Sequence, residues 1–253
     1  MIIKEEINIT PFHEKRMLHI YYPDHLKRGK RPGVIYMFDG HNLFNDEDAT
    51  YGKSWGLRDY LDHHLPNVMV VGLECNHEGN QRLCEFSPYS FEDHYFGKIN
   101  ARGKQLLDWM ATDLKTYIEK KYKVDKRKEK TVIAGSSMGG LMAVYAGSIY
   151  PHVYSKAACL SPFYEHIFPE LIKDIKHQKK LEHSTFYLSW GCYEWRSKRA
   201  LAKGTERNLK ISRLLTEKGA KVFPHCMENG HHNEESWEKE IPLFMKELKI
   251  DQF

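Results

Sequence analysis

The chain has 253 residues, of which 41% are hydrophobic and 13% aromatic, so it can bury a large core and its composition excludes an intrinsically disordered protein. The formal net charge of +4 is modest, and Lys and Arg are mixed with Asp and Glu along the chain. The densest basic stretch, residues 120–130, lacks the interleaved aromatic residues that stack on bases, so we expect no nucleic acid partner.

The sequence predicts neither a membrane-spanning segment nor a secretory signal. No apolar run approaches the length of about 18 residues that a spanning helix needs, and the first ten residues, MIIKEEINIT, contain no apolar signal region. The five cysteines are widely spaced and form no C-x-x-C pair, which favours free thiols in a reducing compartment. We therefore expect a cytoplasmic protein that does not contact a membrane.

The fifteen histidines do not by themselves predict a metal site. His63 and His64 are adjacent in the sequence, as are His231 and His232. Neighbouring side chains diverge on a helix or a strand, so such pairs rarely bind one ion together.

Apolar and alternating segments predict eight short strands, and amphipathic segments between them predict five helices. The predicted strands are 3–9, 16–22, 33–38, 67–74, 130–135, 155–161, 184–190 and 220–227. The predicted helices are 55–64, 103–122, 139–150, 197–218 and 235–248.

The alternation of strands and helices predicts an α/β fold, with a mostly parallel central sheet and helices on both faces. The first two strands predict an antiparallel start to the sheet. No repeat, low-complexity tract or linker divides the chain, so we expect a single domain over residues 1–253. In such folds ligands bind at the carboxyl ends of the strands.

The segment GSSMG at 135–139 follows a predicted strand and precedes a predicted helix. This G-x-S-x-G pattern is typical of the nucleophile elbow of hydrolases, in which a strained turn exposes the serine hydroxyl. Glycines flank the serine because side chains at those positions would crowd the turn. We therefore predict that Ser137 is a nucleophile, and a purely structural glycine-rich turn is the alternative.

A serine nucleophile requires a base and an acid, which follow it along the chain in the order acid, histidine. The loop after the last predicted strand contains His231 and His232, and either histidine could reach Ser137. Glu194 lies just beyond a predicted strand and is the expected acid, which would accept the imidazole N–H and stabilise the imidazolium. Glu228, on the loop of the histidines, is the rival acid.

An oxyanion hole requires two backbone N–H groups aimed at one point. Met138 supplies one because it follows the nucleophile, and His41 supplies the other from the loop after the strand 33–38. Gly40 permits the tight turn that this loop needs. The imidazole of His41 is an alternative base that we do not favour.

Several segments occur in an order and spacing that extend over nearly the whole chain: RPGVIYMFDGHNLF, VMVVGLE, RLCEFSPY, AGSSMGGLMAVYAGSIYP, LSPFY, WGCYE, RNLKISRLLTEKG and HNEESW. Together they resemble the bacterial Putative esterase family of α/β hydrolases, which includes esterase D and the enterochelin-esterase-like trilactone hydrolases. The resemblance implies a serine esterase without metal or cofactor. Its HNE pattern implies His232 as the base, and its loop after the seventh strand implies Glu194 as the acid. The chain departs from the family at NGHH, where a second histidine replaces a smaller residue.

These observations predict a serine carboxylic-ester hydrolase that acts on a small-molecule ester through an acyl-enzyme. A siderophore trilactone, a feruloyl ester and an acetyl ester are the expected substrate classes. A triad does not specify which group finally accepts the acyl chain, so an acyltransferase or a thioesterase is the alternative. A non-catalytic binding protein on the same scaffold is a third hypothesis.

Aromatic and basic residues near the predicted acid suggest a substrate-binding region. Aromatic faces and arginines together can hold an aromatic, partly anionic acyl group by stacking and charge-assisted hydrogen bonds. The alternative is that the cations are the solvated start of a helix. The residues concerned are Tyr164, Trp190, Trp195, Arg196 and Arg199.

Overall fold

The computed structural model describes residues 1–26 and 29–253, and strands alternate with helices through most of this range. In chain order the strands are β1 (Ile2–Ile9), β2 (Glu14–Tyr21), β3 (Gly33–Phe38), β4 (Val68–Leu73), β5 (Phe91–Asp93), β6 (Gly97–Ile99), β7 (Thr131–Ser136), β8 (Lys156–Leu160), β9 (Thr185–Gly191) and β10 (Lys221–Met227). The helices are α1 (Leu57–His64), α2 (Gln81–Glu85), α3 (Gly103–Trp109), α4 (Lys115–Lys121), α5 (Met138–Ile149), α6 (Phe168–His177), α7 (Lys198–Glu217), α8 (Glu234–Glu238) and α9 (Ile241–Glu247).

Eight of these strands form one sheet in the order β1-β2-β4-β3-β7-β8-β9-β10. The strand β2 is antiparallel to both β1 and β4, whereas every pairing from β4 to β10 is parallel. The strands β5 and β6 form a separate antiparallel pair. The structure therefore confirms the predicted α/β fold, including its antiparallel start.

Helices cover both faces of the sheet, and the central strands show why their sequences are continuously apolar. In β3, Val34, Tyr36 and Phe38 belong to one buried cluster, while the alternate residues Ile35 and Met37 belong to the other. The helices α3, α5, α6 and α7 contribute to the first cluster, and α1, α8 and α9 contribute to the second. A strand that is buried on both faces needs apolar side chains at every position.

Two of the predicted helices differ from the observed ones. The predicted helix 103–122 is divided into α3 and α4 by a π-helical turn at Met110–Leu114. The predicted helix 235–248 is broken between α8 and α9, where Pro242 lies in the first turn of α9. Proline has no N–H for the helical ladder, so it is tolerated at the start of a helix but not within one.

The residue patterns did not predict α2, α6, β5 or β6. Three of these elements are five residues or shorter, so hydrophobic periodicity gives little signal for them. The helix α6 is longer, and it packs Leu171, Ile172 and Ile175 into the core. None of the helices in the described residues is long and apolar enough to cross a membrane.

Parallel pairing from β4 to β9 brings the carboxyl ends of these strands to one edge of the sheet. The segments that follow β3, β4 and β7 begin at Asp39, Glu74 and Ser137, respectively. The loop after β9 contains Glu194. Residues from distant parts of the sequence therefore meet at this edge.

Candidate active site

Ser137 lies in the turn between β7 and α5, with a backbone φ of 56° and ψ of −120°. A positive φ is strained for a residue that has a side chain, as expected for a nucleophile elbow. The turn is tight: a Cβ atom on Gly135 would lie 2.7 Å from the carbonyl carbon of Gly139. The local conformation therefore explains why this segment needs glycines around the serine.

The structure brings His232, and not its neighbour, to the serine. The Nε2 atom of His232 lies 2.9 Å from the Oγ atom of Ser137. The ring of His231 instead stacks on Tyr193, with 5.2 Å between the ring centroids. The residue pattern had left both histidines as candidates for the base. Of the two, only His232 is within hydrogen-bond distance of Ser137.

Glu194 occupies the position of an acid behind this histidine. Its Oε2 atom lies 3.3 Å from Nδ1 of His232, and its side chain is only 4% exposed. Its Oε1 atom accepts hydrogen bonds from the hydroxyl of Ser161 and from the backbone N–H of Gly191. Glu228, the rival acid, is exposed. The carboxylate of Glu194 is thus held in place by two donors as well as by the imidazole.

Two features of the final loop hold the histidine in position. Asn233 caps α8 by accepting a hydrogen bond from the backbone N–H of Ser236, at 3.0 Å. Trp237 meets the ring of His232 edge to face, and its indole N–H donates to the hydroxyl of Ser161. Ser161 and Trp237 were not predicted as site residues, although both belong to segments that carry the family resemblance.

The proposed oxyanion donors follow two adjacent parallel strands, β7 and β3. Met138 is the first residue of α5, where a backbone N–H has no partner within the helix. His41 lies in a short 3-10 turn directly after β3, which pairs with β7. A Cβ atom on Gly40 would lie 2.3 Å from the carbonyl oxygen of Gly72, so only glycine fits where this turn passes β4. The loop therefore reaches the sheet edge beside Ser137.

An ion pair that the sequence analysis did not identify anchors the same loop. The Nε and Nη2 atoms of Arg82 each donate to a different carboxylate oxygen of Asp39, both at 2.7 Å. Burial by itself raises the pKa of Asp39, but the charge and hydrogen bonds of the guanidinium outweigh it and hold that pKa below its ordinary value. The pair joins α2 to the residue that precedes Gly40.

Ser137 and His232 open into a cavity of about 570 Å³ that is bordered by both acidic and basic side chains. Its basic residues include Lys53 and Arg82, and its acidic residues include Asp39, Glu234 and Glu235. Charges of both signs therefore surround the serine and the histidine.

The residues predicted to bind the substrate are not among those that line this cavity in the described chain. Tyr164 is buried beside Phe168, and the indole N–H of Trp190 donates to Thr205 on α7. Trp195 packs on Gly204, also on α7. Arg196 and Arg199 are exposed at the start of that helix, which agrees with the alternative of a solvated helix start.

Among the described residues, one group of three possible metal ligands borders the cavity. It consists of His41, Cys75 and His77. Burial lowers the pKa of His41, which favours its neutral imidazole. None of the three had been predicted as a ligand.

A mostly parallel sheet with helices on both faces, and a serine in a strained turn between a strand and a helix, define an α/β hydrolase. The model of the family described as "Putative esterase" matches residues 10–248, and the chain belongs to that family. The protein is therefore an esterase.

Other proteins resemble this chain in sequence or in structure. "Uncharacterized protein YbbA" of Bacillus subtilis (strain 168) is 24% identical over 210 residues, which are 79% of each chain. The structure of a ferulic acid esterase is 16% identical with a TM-score of 0.72, over 100% of this chain and 98% of that one. The enterobactin esterase FES from Shigella flexneri is 17% identical with a TM-score of 0.74; the match covers 100% of this chain but 59% of FES. At such identities the structural matches are evidence for the shared fold.

Proposed function

We propose that the protein hydrolyses a carboxylic ester through an acyl-enzyme on Ser137, with His232 as the general base and Glu194 as the acid of the triad. The observation that carries this proposal is the pair of contacts of one imidazole. His232 faces the serine hydroxyl with Nε2 at 2.9 Å and the buried carboxylate with Nδ1 at 3.3 Å. The imidazole therefore links a nucleophile on one side to an orienting carboxylate on the other.

The first half of the reaction forms the acyl-enzyme. Nε2 of His232 takes the proton of the Ser137 hydroxyl as its oxygen attacks the ester carbonyl carbon. Glu194 holds the Nδ1 proton and stabilises the imidazolium that forms. The backbone N–H groups of Met138 and His41 hold the oxyanion. Collapse of the oxyanion then breaks the ester C–O bond, and the imidazolium gives its proton to the oxygen that leaves, which releases the alcohol.

The second half frees the enzyme. Water enters where the alcohol was, His232 removes its proton, and the resulting oxygen nucleophile attacks the acyl carbon on Ser137. Collapse of the second oxyanion breaks the bond to Oγ and releases the carboxylic acid. The same base and the same two N–H groups therefore serve both halves.

The proposed substrate is a small-molecule ester. A siderophore trilactone and a feruloyl ester are two classes to test, because structural neighbours are an enterobactin esterase and a ferulic acid esterase. An acetyl ester is the third class. The mixed charges of the cavity favour neutral esters over strongly anionic ones.

A labelling experiment combined with a substrate panel tests the proposal. A fluorophosphonate should modify the protein at Ser137, and Ser137→Ala should abolish both labelling and hydrolysis. Ser136→Ala is the matched control and should retain most activity, because this neighbour belongs to β7 and has no contact with His232 among the described side-chain hydrogen bonds. Labelling of Ser136 instead would overturn the assignment of the nucleophile.

The panel should compare p-nitrophenyl acyl esters, feruloyl esters and catecholate trilactones, each with and without an added alcohol or thiol acceptor. Formation of free acid at the same rate with and without the acceptor is the expected result for a hydrolase. Transfer of the acyl group to the acceptor in preference to water would favour an acyltransferase instead.

A further inference from the structure

The three possible metal ligands come from two neighbouring strands. His41 follows β3, and both Cys75 and His77 follow β4, which pairs in parallel with β3. One ligand atom from each of the three residues lies within 4.8 Å of those from the other two. Ligands that share a tetrahedral Zn²⁺ are separated by roughly 3.3–3.7 Å, from bond lengths of about 2.0–2.3 Å. Side-chain adjustments of about 1 Å would therefore bring the three ligand atoms to the distances at which they can bind one ion.

His41 supplies the second, independent observation. Its side chain is buried, with 5% of the residue exposed, and its Nδ1 atom has no hydrogen-bond partner in the described chain. Its Nε2 atom is held by the hydroxyl of Thr50 at 2.9 Å. A buried polar atom without a partner costs stability unless a ligand satisfies it. A ring that is oriented through one nitrogen and leaves the other available is typical of metal-binding histidines.

His77 is oriented in the same manner. Its Nε2 atom lies 2.8 Å from Oε1 of Glu74, so its Nδ1 atom is the one available to a ligand. The rings of His77 and His41 are in contact, with 4.6 Å between their centroids. A carboxylate behind a metal-binding histidine fixes the ring and makes it a stronger ligand. Both imidazoles therefore have the supporting partners that a metal site requires.

We propose that His41, Cys75 and His77 form a zinc-binding site in the wall of the active-site cavity, and that Zn²⁺ bound there inhibits the esterase. Two imidazole nitrogens and a thiolate are a ligand set that suits Zn²⁺. Burial and the neighbouring carboxylate of Asp39 raise the pKa of the Cys75 thiol, so the ion would have to displace the thiol proton, which leaves to solvent as the sulfur binds. Water or a substrate atom would take the fourth position. Zinc binding does not depend on the proposed function. Inhibition does, because it requires that the protein hydrolyse esters as proposed.

Inhibition follows from the place of the ligands. All three residues line the cavity that Ser137 and His232 also line. His41 also provides the proposed oxyanion N–H, so the ion would lie close to the oxyanion hole. An ion at this position would occupy space that the substrate needs and place a positive charge beside the reacting carbonyl.

Binding is measured first and does not depend on catalysis. Calorimetric titration of the wild-type chain with Zn²⁺ should show one site, and Cys75→Ser and His77→Gln should each weaken it at least tenfold. His77 is exposed, so His77→Gln should fold even if the buried Cys75→Ser does not. The matched controls are Cys226→Ser and His231→Gln, which change an exposed thiol and an exposed histidine outside the ligand set. They should bind Zn²⁺ as the wild type does.

Co²⁺ gives a direct readout of the sulfur ligand. The wild type loaded with Co²⁺ should show a thiolate-to-cobalt charge-transfer band that Cys75→Ser lacks and Cys226→Ser retains. Absence of the band in the wild type, or equal Zn²⁺ affinity in the wild type and His77→Gln, would overturn the site.

Inhibition is measured separately with p-nitrophenyl acetate. Zn²⁺ should reduce the rate of the wild type at least tenfold at saturation, EDTA should restore it, and His77→Gln should resist. Equal inhibition of the wild type and His77→Gln would refute the inhibition claim, because the ion would then act elsewhere. If no ester is hydrolysed at all, the proposed function fails, while the titration and the cobalt band still decide the metal site.

Discussion

At the scale of single residues, the two adjacent histidines differ because only one of them contacts the serine. His232→Ala should lower kcat on the order of 10³-fold or more, since it removes the proposed base and the members of a triad act as a unit. His231→Ala should retain most activity, because its ring packs on Tyr193 and not on Ser137. Steady-state kinetics with p-nitrophenyl acetate measures both variants. The opposite ranking would transfer the base to His231.

The acid can be tested with a change that preserves shape. Glu194→Gln keeps an oxygen for the Ser161 hydroxyl and the Gly191 N–H but removes the charge beside the imidazole. We expect kcat to fall on the order of 10³-fold, because the amide cannot stabilise the imidazolium. Glu228→Gln, at an exposed position, is the control and should leave kcat unchanged. A large loss in the control with little loss in Glu194→Gln would assign the acid to the loop of the histidines.

At the scale of elements, the ion pair between Asp39 and Arg82 joins α2 to the loop after β3. Arg82→Ala leaves a buried carboxylate without its partner, and we expect a loss of roughly 2 kcal/mol in the free energy of unfolding. This value is below the usual cost of breaking a buried pair because the Arg82 side chain is 31% exposed. The rate of ester hydrolysis should fall as well, because the loop that contains His41 loses its anchor.

A double-mutant cycle separates the pair from its surroundings. Asp39→Ala combined with Arg82→Ala should cost less than the sum of the two single changes, because the second removes a charge that the first has already left unpaired. Urea denaturation of the four proteins gives the coupling free energy. Strict additivity would show that the two residues act independently.

At the scale of the whole molecule, the buried carboxyl of Glu240, between α8 and α9, links stability to pH. Its carboxylate accepts a hydrogen bond from the hydroxyl of Tyr187 on β9 at 2.7 Å, and the residue is 2% exposed. Burial raises the pKa of Glu240 from 4.5 to about 7. Between these values the unfolded chain loses its proton while the folded chain keeps it, so stability falls as the pH rises.

The expected size of this effect is about 3 kcal/mol, from the shift in pKa and the linkage of protonation to unfolding. The contribution of Glu240 to the free energy of unfolding should decrease gradually between pH 4.5 and about 7. Above this range the free energy of unfolding should no longer change because of Glu240. Glu240→Gln, whose amide oxygen can still accept from Tyr187, should match the wild type at pH 4 and exceed its stability at pH 8. Urea denaturation at both values of pH measures the difference. If the variant and the wild type differed in stability by the same amount at pH 4 and at pH 8, Glu240 would not be protonated in the folded protein.

Most of the fold follows from patterns that are local in the sequence. The central strands are continuously apolar because both of their faces are buried, and the observed bounds of β3 are those predicted. The helix breaks near Met110 and Pro242 were missed because amphipathic spacing continues across both of them. The short elements α2, β5 and β6 are stabilised by the body of the protein, so their own sequences contain little signal.

The sequence by itself determined the α/β class, the strand–turn–helix around Ser137 and the candidates for base and acid, because each depends on the order and spacing of nearby residues. Only the tertiary structure decided which side chains meet. It brought His232 to Ser137, paired Asp39 with Arg82, grouped His41 with Cys75 and His77, and kept Arg196 and Arg199 away from the cavity. The physical reason is that parallel pairing aligns the ends of strands that are distant in the sequence, and the loops there adopt conformations that depend on contacts across the sheet.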